Sequence, residues 1–404
     1  MNDFKNPYKP GSGHMPPYLA GRDLETREFV RLLGQDTILS NVVLTGLRGV
    51  GKTVLLETWK PMAIRKRWLW VGTDLSESAS VSEETLVMRL LTDLSVVTSG
   101  IVSNQPARSG FAPAGIVPVI EERMGYQKLI ELYQKTPGLP ADKLKAILEF
   151  VWACLKPHGV KGIIFAYDEA QTMSDHAQKE QYPLSLLLDV FQSVQKKDVP
   201  FMLVLVGLPT LFPKLVDTRT FSERMFEVIM LMKLNQEDSK QAILKPTAAS
   251  GFPIRFSDNS VELITDTSGG YPYFIQFICR EVFDVFIQKI NVGEQPESVP
   301  IREIIRKLDK NFFAGRWARA TDRQRDLLSV ISTLDNCEEE FTVHEIVTEA
   351  KTLARPFSSS LVNQMLVTLT DAGLIYKNRH GKYSFAVPLL GQFIRRQEIE
   401  STSP

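Results

Sequence analysis

Eight consecutive residues limit what this chain can fold into more than any other feature. Gly46-Leu47-Arg48-Gly49-Val50-Gly51-Lys52-Thr53 fits the pattern G-x-x-x-x-G-K-[ST] in full. The stretch follows the short apolar run Asn41-Val42-Val43-Leu44-Thr45, which reads as a buried strand, and precedes a helical pattern. In that setting the glycines let backbone N–H groups curl around phosphate oxygens, and the helix N-terminus adds positive potential. Lys52 supplies a mobile cation for the outer phosphates and Thr53 a hydroxyl for Mg2+. Gly46 through Thr53, with Val54 behind them, are the expected phosphate-binding contacts.

A second element carries carboxylates. Gly162-Ile163-Ile164-Phe165-Ala166-Tyr167 reads as another buried strand, and it ends in Asp168-Glu169. At such a strand end Asp168 can hold Mg2+ through water, while Glu169 can polarise the water that attacks a γ-phosphate. Alone, an Asp-Glu pair there is equally a solvated helix cap. Combined with the glycine-rich loop it points to hydrolysis rather than binding alone.

Similar apolar runs at 68–72 and 201–207, with helical periodicity at 83–94 and 183–195, predict an α/β fold built on a parallel sheet covered on both faces. Residues 1–20, with Pro7, Pro10, Pro16 and Pro17 beside Gly11 and Gly13, read as an extended arm. The phosphate-binding domain is expected over 21–234. Within it, an insertion at about 99–160 starts with a flexible, proline-broken stretch (99–118) and continues into helices near 126–134 and 141–155. After 235 the strands stop, and helices at 236–250, 260–267, 272–289 and 301–319 make a lid-like domain over 235–320. Residues 321–404 change again: helices at 322–333, 343–350 and 358–372 precede two short strands around Asn378-Arg379-His380-Gly381, the order of a winged helix.

Composition narrows the partners. With 47 basic and 47 acidic residues the formal net charge is zero, which excludes a generally polycationic nucleic-acid coat. Three widely separated cysteines, Cys154, Cys279 and Cys337, frame neither a zinc site nor a disulfide scaffold, and the five histidines show no metal spacing. No apolar run reaches the 18 or so residues of a membrane span, and no signal-like start is present, so a cytoplasmic location is expected.

The motifs together resemble the AAA+ and STAND ATPases, nearest to the archaeal and bacterial ATPases related to replication initiators and transposition target-selection ATPases. The resemblance rests on Gly46 to Thr53, Asp168-Glu169, the strand 203–209, the tract 219–226, Ser268-Gly269-Gly270-Tyr271-Pro272 and the terminal winged helix. It implies a P-loop NTPase sheet, a helical lid, ATP or ADP with Mg2+ as cofactors, and a homo-oligomer. Pro16-Pro17-Tyr18-Leu19-Ala20-Gly21-Arg22-Asp23 resembles the family's opening motif, which implies that Arg22 lies beside the adenine. By the same resemblance Arg224, with Arg219 as its rival, matches the arginine a neighbouring subunit inserts against the γ-phosphate, and Pro272 matches a Gly-x-Pro element lining the nucleotide pocket. Thr210 is the nearest γ-phosphate sensor, and a helix N-cap explains it as well. Pro272 equally fits the first turn of a helix. After Pro272 no arginine follows until Arg280, which favours the STAND-like branch.

Residues 321–404 hold 9 Lys and Arg against 11 Asp and Glu, and the presumed recognition helix has neither Lys nor Arg. Phosphate contacts supply most nonspecific DNA affinity, so a protein-contact or regulatory role is favoured over DNA binding. The acidic run Glu338-Glu339-Glu340 points the same way, and only Lys377, Arg379, His380 and Lys382 form a positive cluster. Arg65-Lys66-Arg67 is expected to complement a helix C-terminus, and Trp68 and Trp70 to pack in a strand.

Overall fold

A computed structural model describes the chain except at residues 1–3, 12, 73, 76, 107–118, 249–251, 296–297, 353–354, 380 and 403–404. In chain order the first elements are α1 (Asp23–Leu32), β1 (Asn41–Gly46), α2 (Lys52–Arg65), β2 (Trp68–Val71) and α3 (Glu83–Thr98). Then come β3 (Val102–Pro106), β4 (Val119–Arg123), α4 (Tyr126–Lys135), α5 (Pro140–Leu155), β5 (Gly162–Tyr167) and α6 (Pro183–Gln195). They are followed by β6 (Phe201–Gly207), α7 (Leu211–Thr218), α8 (Ser222–Met225) and β7 (Phe226–Leu231). The contacts divide the chain into two compact units. One holds Asp23–Thr45 and Leu55–Met230; the other holds Met1–Arg22, Gly46–Val54 and Leu231–Pro404.

The first of these is built on a five-stranded sheet in the order β2-β5-β6-β1-β7. The pairs β2–β5, β5–β6 and β6–β1 are parallel. Every residue of β1, β5 and β6 is buried, as expected of Val-, Ile- and Leu-rich strands that helices cover on both faces. Thr45 stands level with Gly207, and Tyr167 with Leu205, so the carboxyl ends of β1, β6 and β5 share one edge. Open α/β sheets bind ligands outside that edge. Phe29 of α1 stacks on Trp59 of α2 at 4.3 Å, and Trp70 meets Phe29 edge-on. Trp68 is buried with its indole N–H on the Leu33 carbonyl, so both β2 tryptophans are packing residues.

The expectation of an irregular stretch at 99–118 needs correction. Val102–Pro106 pairs antiparallel with Val119–Arg123 as a ribbon, and residues 107–118 lie outside the described residues. Local composition masked this pairing because proline and small residues interrupt the strand pattern. The helices after it belong to the core: Leu129 and Tyr133 of α4, and Leu144, Ile147, Leu148 and Val151 of α5, join the cluster that contains Ile163, Phe165 and Phe201.

The other unit contains α9 (Gln236–Ala248), α10 (Asp258–Ser268), α11 (Pro272–Asn291), α12 (Ile301–Leu308), α13 (Ala314–Trp317) and α14 (Asp322–Thr333). Its remaining elements are β8 (Phe341–Thr342), α15 (Val343–Glu349), α16 (Ser359–Asp371), β9 (Ile375–Arg379), β10 (Lys382–Phe385) and α17 (Leu390–Thr402). The helix expected over 301–319 runs on to Trp317 and contains a π-helical turn at Asp309–Phe313, where Phe312 and Phe313 pack on Phe274. The last segment has the winged-helix order, with sheet order β8-β10-β9; β8, only two residues long, escaped the sequence pattern. Lid and winged helix share one hydrophobic cluster, in which Phe313 stacks on Phe393 at 5.1 Å. The N-terminal arm enters the same cluster. Tyr8 is buried with its hydroxyl donating to the Ile243 carbonyl, Asn6 bonds Asp284, and Tyr18 bonds Gln241.

Candidate active site

The glycine-rich loop is shaped by its backbone. Gly49 and Gly51 take φ values of +81° and +94°, in the region that L side chains rarely enter. Around Gly51 the position of a Cβ meets no atom within 4 Å, which leaves room for a ligand to approach the main chain. Lys52 Nζ donates to the carbonyls of Gly46 and Leu47 at 2.9 and 3.0 Å. Arg22 is buried and donates to the carbonyls of Val50 and Met232, each at 2.9 Å. Its guanidinium thus braces the loop from behind. The arm passes close as well, since a Cβ on Gly13 would stand 3.3 Å from the Thr53 methyl.

Lid residues touch the same loop. Pro272 opens α11 at its first turn, the position where its missing N–H costs nothing. The next N–H, of Tyr273, donates to Gly49 O at 3.1 Å. Tyr273 packs on Phe312 at 5.1 Å, and the Arg316 guanidinium lies 4.3 Å over the Phe312 ring. Burial, then the positive charges of Arg48 and Arg319, push the Arg316 pKa below its ordinary value. Among the described residues, none of these three arginines has a carboxylate within salt-bridge distance. Arg316, in the last stretch of the 235–320 segment, brings its charge near Arg48.

At the end of β5, Asp168 is buried, and its Oδ1 accepts the Glu169 N–H at 2.8 Å. Asp168 is also bridged to Asp74, and its carbonyl accepts the Leu75 N–H at 2.9 Å. Glu169 is exposed, with φ +54° in the left-handed region. Gln171 donates its amide to Glu169 Oε2 and accepts the Leu208 N–H at 3.1 Å through its own oxygen. Nothing in the spacing of Asp168 and Glu169 marked Gln171; its only signal was a long polar side chain two residues after the glutamate.

The arginine candidates separate. Arg219 forms a two-pronged pair with Asp189 at 3.0 and 2.9 Å, and that pair holds its pKa up. Arg219, the rival candidate, thus already has a carboxylate partner within this chain. Arg224 is exposed and pairs with no carboxylate among the described residues. Thr210 occupies the N-cap position of α7, though its side chain makes no capping bond there. In the winged helix, Asn378 binds Glu340, which draws part of the acidic run into the hairpin; His380 of the positive cluster lies outside the described residues.

Thr53 and Asp168 each offer a hard oxygen donor of the kind Mg2+ takes, and the main chain at Gly51 is open, so the residue types fit nucleotide and metal. No cluster of three or more His, Cys, Asp or Glu could hold a metal by itself among the described residues; an ion here would complete its shell with phosphate oxygens and water.

Solved structures carry the same architecture. A Walker-type ATPase of Pyrococcus abyssi aligns over 93% of this chain and 96% of its own, with TM-score 0.57 and 15% identity. The chain shares the fold of that ATPase. The Aeropyrum pernix ORC2 protein in its ADP form covers 96% of this chain and 97% of its own (TM-score 0.54, 13% identity). In ADPNP-ADP complexes the same protein covers 97% and 98% (TM-score 0.53, 13% identity). A family model described as a domain of unknown function (DUF8462) matches residues 310–394, and no curated protein matches the sequence. Among the described residues no helix is long and apolar enough to cross a membrane.

Proposed function

We propose that the protein binds Mg-ATP, hydrolyses it, and uses the cycle to switch conformation and to assemble with copies of itself. The observation that carries this reading is the complete phosphate loop following β1 in a sheet whose strand β5 ends, at the same edge, in Asp168-Glu169. When bound, Mg2+ neutralises phosphate charge. Lys52 leaves the Gly46 and Leu47 carbonyls for the outer phosphates, Thr53 and Asp168 hold the metal, and Glu169 orients and polarises the attacking water. Gly46 to Val54 line the phosphates, and Arg48 and Arg316 add positive charge to that side. Arg22 serves by bracing the loop, and Pro272 by placing the Tyr273 N–H on Gly49, through which the lid senses phosphate.

Arg224, exposed and unpaired with any described carboxylate, is the arginine we assign to a neighbour's γ-phosphate. With no Lys or Arg on α16, we assign the winged helix to protein contact and regulation rather than to DNA, in a STAND-like arrangement. The test is steady-state ATPase activity of the wild type, Lys52→Ala and Glu169→Gln across protein concentrations, with oligomeric state read in the same samples. Turnover that needs both residues and rises with concentration is the expected result. Nucleotide binding that needs Lys52 without any turnover would replace hydrolysis by a slow nucleotide-gated scaffold.

A further inference from the structure

The five-stranded sheet has a second edge, at the amino ends of its strands, where Trp68 stands level with Gly162 and Ile163 with Phe201. Two turns at that edge are basic. Arg65 closes α2, where a cation suits the helix C-terminus, but Lys66 and Arg67 follow beyond the last turn. Arg67 takes a left-handed φ of +66°, and its carbonyl accepts the Lys161 N–H at 2.9 Å. Its guanidinium lies over Gly159, where a Cβ would collide with Nη2. The two turns are thereby joined, and Lys156 belongs to the second through the short helical turn Lys156–His158.

These five cations are exposed and short of partners. Among the described residues Arg65, Lys66, Arg67 and Lys156 have no carboxylate within salt-bridge distance. Lys161 has only Asp36, 3.8 Å away with a side chain that is 99% exposed, and so wet a pair contributes little. The turn after α6 is balanced, since Lys197 pairs with Glu149 and Asp198 accepts the Thr37 hydroxyl. Two large aliphatic side chains stand out at the same edge. Ile64, in the last turn of α2, is 53% exposed, and Leu39, two residues before β1, is 76% exposed.

We propose that this edge docks on a membrane surface that carries anionic lipids. The inference is independent of the ATPase reading. A cluster of Lys and Arg of this size holds to anionic head groups, while Ile64 and Leu39 enter the boundary between head groups and acyl chains. A nucleic-acid backbone would satisfy the cations but leave both aliphatic side chains in water, and the nearest ring, Trp68, is buried and offers a base no stacking surface. Three of the five cations are lysines, a residue type that protein interfaces avoid, which disfavours a protein partner. Docking of this kind is peripheral and salt-sensitive, and it needs no crossing helix.

The test is co-sedimentation of the full-length protein with vesicles of phosphatidylcholine, alone or mixed with phosphatidylserine, over a range of salt. Expected is binding to the mixed vesicles only, weakening as salt rises. Lys66→Glu with Arg67→Glu should lower that binding at least about tenfold. Ile64→Ser with Leu39→Ser should lower it about three- to tenfold and leave the salt dependence as it is. All four side chains are exposed, so thermal melts and Lys52-dependent nucleotide binding should match the wild type. Arg302→Glu with Arg306→Glu, on the exposed side of α12, controls for charge alone. An equal loss in that control, equal binding to neutral vesicles, or no binding at low salt overturns the proposal. Duplex DNA at the same salt decides the rival partner. If it binds more tightly than the mixed vesicles and Lys66→Glu with Arg67→Glu abolishes that binding, the edge belongs to nucleic acid and the membrane assignment falls.

Discussion

The phosphate loop and the carboxylate end of β5 serve one proposed reaction, yet they are held in different ways. Around the loop the contacts fall on main-chain carbonyls: Arg22 on Val50 and Met232, Tyr273 N–H on Gly49, and Lys52 on Gly46 and Leu47, the pair it is proposed to leave for phosphate. At β5 the decisive tether is one side chain, Gln171, stretched between Glu169 and Leu208. A cradle that depends on backbone torsions is stiff and ready before ligand arrives. A carboxylate on a side-chain tether can be let go.

Substitutions can break this contrast or sharpen it. The largest effect is expected from Glu169→Gln, which removes the base and should lower turnover at least about a hundredfold while leaving nucleotide affinity nearly unchanged. A comparable fall in ATP affinity on titration would mean that Glu169 belongs to the binding half. For Lys52→Ala, turnover should also fall about a hundredfold, now accompanied by weaker binding of fluorescent ATP; retained affinity would remove the loop from the binding role. Arg22→Ala leaves the Val50 and Met232 carbonyls without their donor, costing about 2 kcal/mol. Thermal unfolding should show that loss together with weaker nucleotide binding, and an unchanged melt would mean the loop needs no brace. The smallest stability changes are expected for the two arginines. Arg219→Ala should cost under about 1 kcal/mol, the range of partly exposed pairs, with turnover kept. Arg224→Ala should leave the melt unchanged yet remove the rise of turnover with protein concentration; a rise that persists would exclude it as the inserted arginine.

Much of this was legible before any coordinates. Alternation of apolar strands with helices gave the sheet, because a strand buried on both faces must be apolar along its whole length, as β1, β5 and β6 are. The helices of the winged segment carry local capping signals, and Asp322–Thr333 begins where its sequence pattern begins, behind a Thr321 capping box. The ribbon β3–β4 and the two-residue β8 were not legible, since short strands acquire their identity from the partner they pair with. The π turn at Asp309–Phe313 was hidden as well, because helical periodicity continues through it.

The candidate site divides along the same line. Glycine spacing shapes the loop by itself, because the torsions of a glycine and the direction of N–H groups are local properties. Strand followed by Asp168-Glu169 is local too. Tertiary structure alone decided that Arg219 is spent on Asp189, that Arg316 comes to stand by Arg48, and that Gln171 reaches Leu208. Each of these joins residues distant in sequence, and a side chain's partner depends on which surfaces packing brings within about 3 Å, a distance no spacing along the chain records.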